Sequence, residues 1–338
     1  MTTRVAINGF GRIGRCVARR IVEMGDSSIE LVAVNDLAPR ETMVHLLRYD
    51  SVQGVFDADV ALTDDGFSIN GNNVAYVQHR ELTDLPWADL NIDVVIESTG
   101  LFTDRDKAAL HLAQGAKKVI ISAPAKGADY TMVLGVNDDG YDAAIHHVVS
   151  NASCTTNTLA PVVKVLDDNW GVESGFMTTC HAYTSDQRLL DSPHSDLRRA
   201  RAAALNIIPT STGAAKAIGL VLPHLAGKLD GISLRVPVPA GSVTDFTGVL
   251  KSEVSVSDLN GALRDAADGP MRGILRFSED PLVSQDIVGD THSSIVDGLT
   301  TMAMGRTVKL LAWYDNEWGY SSRVVDLVSR LAAVKVAG

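Results

Sequence analysis

"RVAINGFGRIGRCVARRIVEMG", residues 4 to 25, decides the fold. It opens with an apolar run, turns through Gly9, Gly11 and Gly14, and continues with Ile13, Cys16, Val17 and Ile21 at helical spacing. That order is strand, glycine turn, helix. The glycines form GxGxxG, in which the first permits a tight turn, the second lets the backbone approach a pyrophosphate, and the third lets helix and strand pack closely. Alone the pattern is weak. Here Asp36 ends the next apolar run, "IELVAVND", where a carboxylate accepts hydrogen bonds from the adenosine ribose and repels a 2′-phosphate. Together these parts predict a dinucleotide site that favours NAD over NADP.

The pattern continues outward. "DVVIESTG" reads as a strand, "AALHLAQGAKKVIISAP" as a helix followed by a strand, and "TMVLGV" and "HHVVSN" as further short strands. Buried strands alternating with helices imply an α/β, doubly wound parallel sheet of Rossmann type. After residue 150 the pattern changes. "GFMTTCHAYT", "GISLRVPVP", "SVTDFTGVLK" and "VKLLAWYDN" are longer β segments, "VSDLNGALRDAA" is a helix between them, and a mainly antiparallel α+β domain is expected. "SSRVVDLVSRLAAVK" closes the chain as an amphipathic helix with Val324, Val325, Leu327, Val328 and Leu331 on its apolar side.

Composition agrees with this division. The 338 residues exceed what one core usually absorbs, so two domains are expected, and the 46% apolar content supports substantial cores. A formal net charge of -11 argues against a nucleic-acid partner while leaving room for a local basic pocket. The cysteines Cys16, Cys154 and Cys180 are odd in number and widely spaced, which suits neither a disulfide framework nor a zinc site and points to a reducing cytoplasm. The chain enters a strand at once, without a signal-peptide pattern, and no uninterrupted apolar segment is long enough to cross a bilayer. No metal is expected.

"SNASCTTNTLAP", residues 150 to 161, places Cys154 among small hydroxyl residues just ahead of an apolar stretch. A cysteine that opens a helix sits where orphan backbone N–H groups and the dipole favour a thiolate. On those residues alone, Cys154 is either a prepared nucleophile or a cysteine buried after a loop. "TTCHAYTSDQ" supplies His181 at the end of a strand, where an imidazole can stabilise a thiolate and shuttle a proton, although a lone histidine is more often structural. Cys180 should point to the opposite face and belong to the core. Arg198, Arg199, Arg201 and Arg235 lie near the hydroxyl-rich turn Thr210, Ser211, Thr212 and Gly213, an arrangement that suits an anion pocket or, more blandly, a solvated face. A redox dinucleotide beside a reactive cysteine and a base suggests that the thiolate adds to an aldehyde. The hemithioacetal so formed is a good hydride donor and leaves a thioester, which phosphate or water releases.

At this point the chain resembles the glyceraldehyde-3-phosphate dehydrogenase family over essentially its whole length. The matching segments are "INGFGRIGR", "VND", "ESTG", "SNASCTTN", "HAYTSDQ", "DLRRARAA", "IPTSTGAAK" and "WYDNEWGY", in family order and at family spacing. The resemblance implies that Cys154 is the nucleophile and His181 the base. It implies that Thr184, Asp186 and Arg235 line the site for the substrate's own phosphate, and that Ser153, Thr155, Thr212, Gly213 and Arg199 line that for inorganic phosphate. It gives the cofactor Gly9, Gly11, Arg12, Ile13, Gly14, Asp36, Arg80, Thr99, Gly100 and Ser122, with Asn316 on the nicotinamide carboxamide. Leu37 and Pro193 accompany NAD use in the family, although Ser192 beside Pro193 is not the commonest pairing. A homotetramer is implied, with residues 182 to 205 near a neighbouring subunit's cofactor. The closing helix is expected to pack back on the cofactor domain, which gives residues 1–152 with 317–338 for NAD binding and 153–316 for catalysis.

Two departures stand out. Thr158 occupies the position, one helical turn after the nucleophile, where most of the family carries a second cysteine, so a thiol that could trap oxidised Cys154 is absent. Near Ala240 the family commonly has threonine or asparagine. The implied reaction converts glyceraldehyde 3-phosphate, NAD and inorganic phosphate to 1,3-bisphosphoglycerate. The rivals are an erythrose-4-phosphate dehydrogenase, against which the intact "HAYTSDQ" and "PTSTGAAK" argue, and a noncatalytic NAD-binding regulatory protein.

Overall fold

The computed structural model describes residues 2–333. Two compact units form. Of the described residues, the first takes those up to Met132, Asp139–Ala152 and those from Ser321 to residue 333; the second takes Val133–Asp138 and Ser153–Tyr320.

The first unit is built on a nine-stranded sheet. Its order across the sheet is Tyr130–Thr131, Val148–Ser150, Lys118–Ile121, Val94–Glu97, Thr3–Asn8, Ile29–Asn35, Asn72–Val77, Gly66–Ile69 and Val60–Leu62. From Tyr130–Thr131 to Asn72–Val77 every pairing is parallel. Val5, Ala6, Ile7, Val95, Ile96, Val119 and Ile120 are buried, as parallel strands covered on both faces require. The chain proceeds from Thr3–Asn8 to a strand on one side and later returns to Val94–Glu97 on the other. The carboxyl ends of these strands therefore flank a topological switch point, the usual place for a ligand in an open α/β sheet.

Two glycines make the turn at that point. Gly9 has φ +94°, and a Cβ there would lie 2.6 Å from the Thr99 nitrogen; a Cβ on Gly14 would lie 2.3 Å from the Gly9 carbonyl oxygen. The helix Arg12–Met24 then runs until Gly25, whose left-handed conformation turns its N–H onto the Val22 carbonyl.

Several expectations need correction. Of "TMVLGV" only Thr131 lies in a strand, Tyr130–Thr131, because the Asn137 amide oxygen accepts the Val133 N–H and the Asp138 carboxylate accepts the Gly135 N–H, which fold that stretch into a turn. The helix expected in "AALHLAQG" is two single-turn pieces, Arg105–Ala108 and Leu110–Ala113, ended by Gly115 at φ +106°. The sequence reading passed over the antiparallel strands Val60–Leu62 and Gly66–Ile69, the latter joined to Asn72–Val77 through Asn70 and Gly71, both with positive φ. Of the closing helix, Trp318–Ala333 is seen with all five expected apolar residues buried; Val334 and Lys335 lie outside the described residues.

The second unit carries an eight-stranded sheet. Its order is Ile208–Ser211, Leu229–Val236, Val172–Ala182, Ser242–Leu250, Thr307–Tyr314, Ser294–Asp297 and Leu275–Ser278, with Met302–Met304 also on Thr307–Tyr314. It is mainly antiparallel, as expected, with two parallel pairings. One of these sets Val172–Ala182 against Leu229–Val236 in the register that places Arg235 beside His181. Helix Cys154–Trp170 starts at Ser153, whose Oγ accepts the Thr156 N–H at 3.0 Å, a cap worth about 1 kcal/mol.

One ion pair in the first unit fixes the start of its first helix. Arg12 reaches both carboxylate oxygens of Asp50, at 2.9 and 3.1 Å, and the N–H groups of Val52 and Gln53 donate to the same carboxylate. Burial pushes Asp50 up, but Arg12 and those N–H groups outweigh it and hold the carboxyl at about 2 instead of 3.8. Its stabilising contribution is thus present above pH 3.8 and lost as pH falls through about 2. In urea titrations of the apoprotein, Asp50→Asn is expected to lose less stability across that window than the wild type. Equal losses would remove this pair from the acid response.

Candidate active site

The sequence predicted a cysteine at a helix start and a histidine at a strand end, and the second unit brings them together. Cys154 is the first residue of its helix, and its Sγ lies 3.4 Å from His181 Nε2. Thr155 Oγ1 is 3.9 Å from the sulfur on the other side. Alternation along Val172–Ala182 puts Met177, Thr179 and His181 on the buried face. Cys180 points the other way, as expected, but it is only half-buried and so does not belong to the core.

Beneath the pair lies a support that the sequence reading missed. The buried Tyr314 hydroxyl is 2.9 Å from Thr155 Oγ1 and 2.8 Å from Thr179 Oγ1, and its ring meets the His181 ring edge-on at 5.9 Å. Period-two alternation from His181 would have pointed to Thr179; nothing local pointed to Tyr314. Thr158, one turn along the helix, is fully buried, with its hydroxyl between the carbonyls of Cys154 and Ser293 at 3.0 and 2.8 Å. Ala240 is also buried.

Arg235 connects this pair to an anion-binding cluster. Its Nη1 is 2.9 Å from His181 Nδ1, 3.1 Å from the Ala182 carbonyl and 3.0 Å from Thr184 Oγ1. The Thr184 hydroxyl donates to Asp186, and Arg199 pairs with the other Asp186 oxygen at 2.7 Å. Arg235 Nε is buried without a hydrogen-bond partner among the described residues, a donor that an anion would satisfy. Arg198 and Arg201 do not join: Arg198 is exposed, and Arg201 pairs with Asp191 at the surface. Thr212 and Gly213 sit at the start of helix Ala214–Val221, where Thr212 Oγ1 accepts the Ala214 N–H at 3.2 Å.

Burial governs the charges. It pushes the Cys154 thiol up against the pull of Thr155 and Arg235, and together with the Arg235 charge it pushes His181 down to about 4. His181 is therefore neutral at pH 7, with a ring nitrogen able to take a proton. Burial also pushes Asp186 up, but the Thr184 hydroxyl and the charges of Arg235 and Arg199 outweigh it, so its carboxyl lies below 3.8.

Asn316 is held by a chain of two hydrogen bonds. The Ala182 N–H donates to Ser242 Oγ at 3.0 Å, and the Ser242 hydroxyl donates to Asn316 Oδ1 at 2.9 Å. The Asn316 amide N–H₂ is thereby turned away from Ser242. Ser242 is a further residue that the sequence reading did not single out.

In the first unit a cleft of about 570 Å³ is lined by Asn8, Gly9, Gly11, Asp36, Arg80 and Thr99, among others. A Cβ on Gly11 would meet nothing within 4 Å, so it would project into open space, and the helix start at Arg12 has no side-chain cap. A helix start without a side-chain cap suits a pyrophosphate. The Asp36 oxygens accept the N–H groups of Phe10 and Ala38 at 2.8 and 3.0 Å, which fixes the carboxylate and leaves lone pairs for a ribose. These residues fit NAD. The Arg12 guanidinium is turned to Asp50, so it is the start of its helix that faces the cofactor question. Ile13 is half-buried on the same helix, and Gly100, at φ +73°, follows Thr99. Ser122 lies behind the cleft, bonded to Ser98 at 2.9 Å and to the Glu97 carbonyl at 3.1 Å.

Comparison with known proteins agrees with this geometry. Residues 3–105 match the family model "Glyceraldehyde 3-phosphate dehydrogenase, NAD binding domain", and residues 153–316 match "Glyceraldehyde 3-phosphate dehydrogenase, C-terminal domain". The chain is 58% identical over 328 residues to glyceraldehyde-3-phosphate dehydrogenase 2 of Streptomyces avermitilis, covering 97% of this chain and 98% of that one. It is 55% identical over 334 residues to glyceraldehyde-3-phosphate dehydrogenase of Geobacillus stearothermophilus, covering 98% and 99%. The chain belongs to the glyceraldehyde-3-phosphate dehydrogenase family and is an NAD-dependent oxidoreductase of that family.

Proposed function

We propose that Cys154 is the nucleophile and His181 the base in the phosphorylating oxidation of glyceraldehyde 3-phosphate to 1,3-bisphosphoglycerate. The observation that carries this is the 3.4 Å contact between Sγ and a buried, neutral imidazole. His181 Nε2 takes the thiol proton, and the thiolate, favoured by the helix N-terminus, adds to the aldehyde carbon. The imidazolium returns that proton to the former carbonyl oxygen, which gives the hemithioacetal hydroxyl, and the neutral imidazole accepts it again as the carbon loses hydride and becomes a thioester. NAD, when bound, supplies the hydride acceptor. Inorganic phosphate then attacks the thioester carbon, and Cys154 departs as the thiolate.

Arg235 and Thr184 hold the substrate's phosphate, with Asp186 positioning Thr184 and Arg199 by its two oxygens. Ser153, Thr155, Arg199, Thr212 and Gly213 receive inorganic phosphate. Gly9, Gly11, Arg12, Ile13, Gly14, Asp36, Arg80, Thr99, Gly100 and Ser122 serve the cofactor, with Asn316 donating to the nicotinamide carboxamide.

The chain works as a homotetramer in the cytoplasm. What supports this is a loop with Leu189, Leu190, Leu197 and Leu205 between 71% and 81% exposed, together with three cysteines that form no disulfide among the described residues. Among the described residues no helix is long and apolar enough to cross a membrane.

Three outcomes are expected. NADH formation from glyceraldehyde 3-phosphate and NAD depends on inorganic phosphate, is abolished in Cys154→Ser and falls by about 10²–10⁴ in kcat in His181→Asn. Sustained turnover without phosphate would instead mean that water resolves the thioester. Asp36→Ser raises the kcat/KM ratio of NADP to NAD by at least about tenfold, and an unchanged ratio would take the ribose role from Asp36. Sedimentation of the native protein from a cell's soluble fraction gives four chains per particle; monomers, or recovery with the membranes, would overturn the assembly or the location.

A further inference from the structure

The first unit holds a buried polar cluster that takes no part in the chemistry above. Its centre is Glu97, the last residue of strand Val94–Glu97, with His111 and Trp87 fully enclosed beside it. The direction of each hydrogen bond can be worked out from both ends. Trp87 Nε1–H can only donate, and it lies 2.9 Å from His111 Nδ1. His111 therefore carries its proton on Nε2, which donates to Glu97 Oε2 at 3.0 Å. From the other side, the His79 N–H donates to Asn35 Oδ1 at 2.8 Å, so Asn35 Nδ2 donates to the His79 carbonyl at 2.9 Å and to Asn8 Oδ1 at 2.7 Å. Asn8 is thus oriented with Nδ2 toward Glu97 Oε2, at 2.6 Å. The remaining oxygen, Oε1, accepts the Thr99 N–H at 2.9 Å and the Thr99 hydroxyl, whose own oxygen accepts the Leu101 N–H at 3.1 Å.

Four donors therefore converge on one carboxylate, and His111, held neutral by Trp87, is not a counter-charge. A buried anion is tolerated only when its lone pairs are used in this way. The position matters because Asn8 immediately precedes Gly9 and Thr99 packs directly on Gly9, where a Cβ would come within 2.6 Å of the Thr99 nitrogen. One side chain thus ties down the two strand ends that bracket the first glycine of the phosphate-binding turn.

We propose that Glu97 is a positioning residue for the cofactor: its carboxylate sets the separation of Asn8 and Thr99, and through them the turn at Gly9, without touching the ligand. The proposal rests on reading the cleft as the NAD site. A glutamine at this position keeps the shape but sets an N–H₂ group against donors whichever way it turns.

The test compares full-length wild type with Glu97→Gln by calorimetric titration with NAD, with ADP-ribose, which keeps the pyrophosphate, and with adenosine, which has no phosphate. Affinity for NAD and ADP-ribose is expected to fall at least about tenfold in the variant, the loss of one hydrogen bond to a charged group. Affinity for adenosine, and KM for glyceraldehyde 3-phosphate at saturating NAD, should change by less than about twofold. A purely structural role predicts a lower urea midpoint with ADP-ribose affinity unchanged, and that result would overturn the proposal; so would an equal loss for all three ligands. If Glu97→Gln does not fold, Trp87→Phe keeps the carboxylate but frees the His111 tautomer. It is expected to weaken ADP-ribose by about threefold with adenosine unaffected, and unchanged ADP-ribose binding overturns the proposal. A wild type that binds neither NAD nor ADP-ribose would refute the reading of the cleft as the NAD site, and the cofactor-positioning role of Glu97 with it.

Discussion

The constraint on which the second unit depends is the parallel register that lays Leu229–Val236 along Val172–Ala182. It makes Arg235 the direct neighbour of His181, so the guanidinium that would recognise an anion also touches the ring nitrogen of the proposed base. The Ala182 carbonyl cannot accept from Nδ1 while Nδ1 accepts from Arg235, so the two contacts compete for one ring nitrogen. With the roles proposed for Arg235 and His181, recognition and proton transfer are coupled by backbone pairing before any substrate is considered. A one-residue slip would send either side chain to the opposite face of the sheet.

How much of this could be read in the sequence depended on whether the signal was local. The glycine turn, Asp36 and the helix opened by Cys154 are short-range patterns, and all appear where expected. The turn at Val133–Gly135 was mistaken for a strand because its apolar residues mask two side-chain oxygens, from Asn137 and Asp138, that satisfy the backbone instead of a neighbouring strand. The hairpin at Asn70 and Gly71 carried a recognisable turn signal that was not used. The meeting of Cys154 with His181 was suggested by chemistry and by the family resemblance, since spacing alone cannot close a gap of 27 residues.

The supporting residues were the least legible. Tyr314 lies 159 residues from Thr155, and Ser242 lies 60 from Ala182. Their roles follow from the sheet order, which no local periodicity encodes. The arginine-rich segment shows the converse problem: four candidates share one composition, yet only Arg199 and Arg235 meet Asp186 and Thr184, while Arg198 and Arg201 face outward. Charge pattern identifies a region; only the fold sorts its members. Cys180 is similar, since alternation predicted its direction correctly but not its depth.

The line from the Ala182 N–H through the Ser242 hydroxyl to Asn316 Oδ1 gives that side chain a preferred heading. An isolated asparagine would adapt to either kind of neighbour by rotating its amide through half a turn. Here that turn would leave the hydrogen of the fully buried Ser242 hydroxyl without its acceptor, a cost an exposed asparagine does not meet. The tethered amide therefore favours a neighbour that offers oxygen over one of the same outline that offers hydrogen.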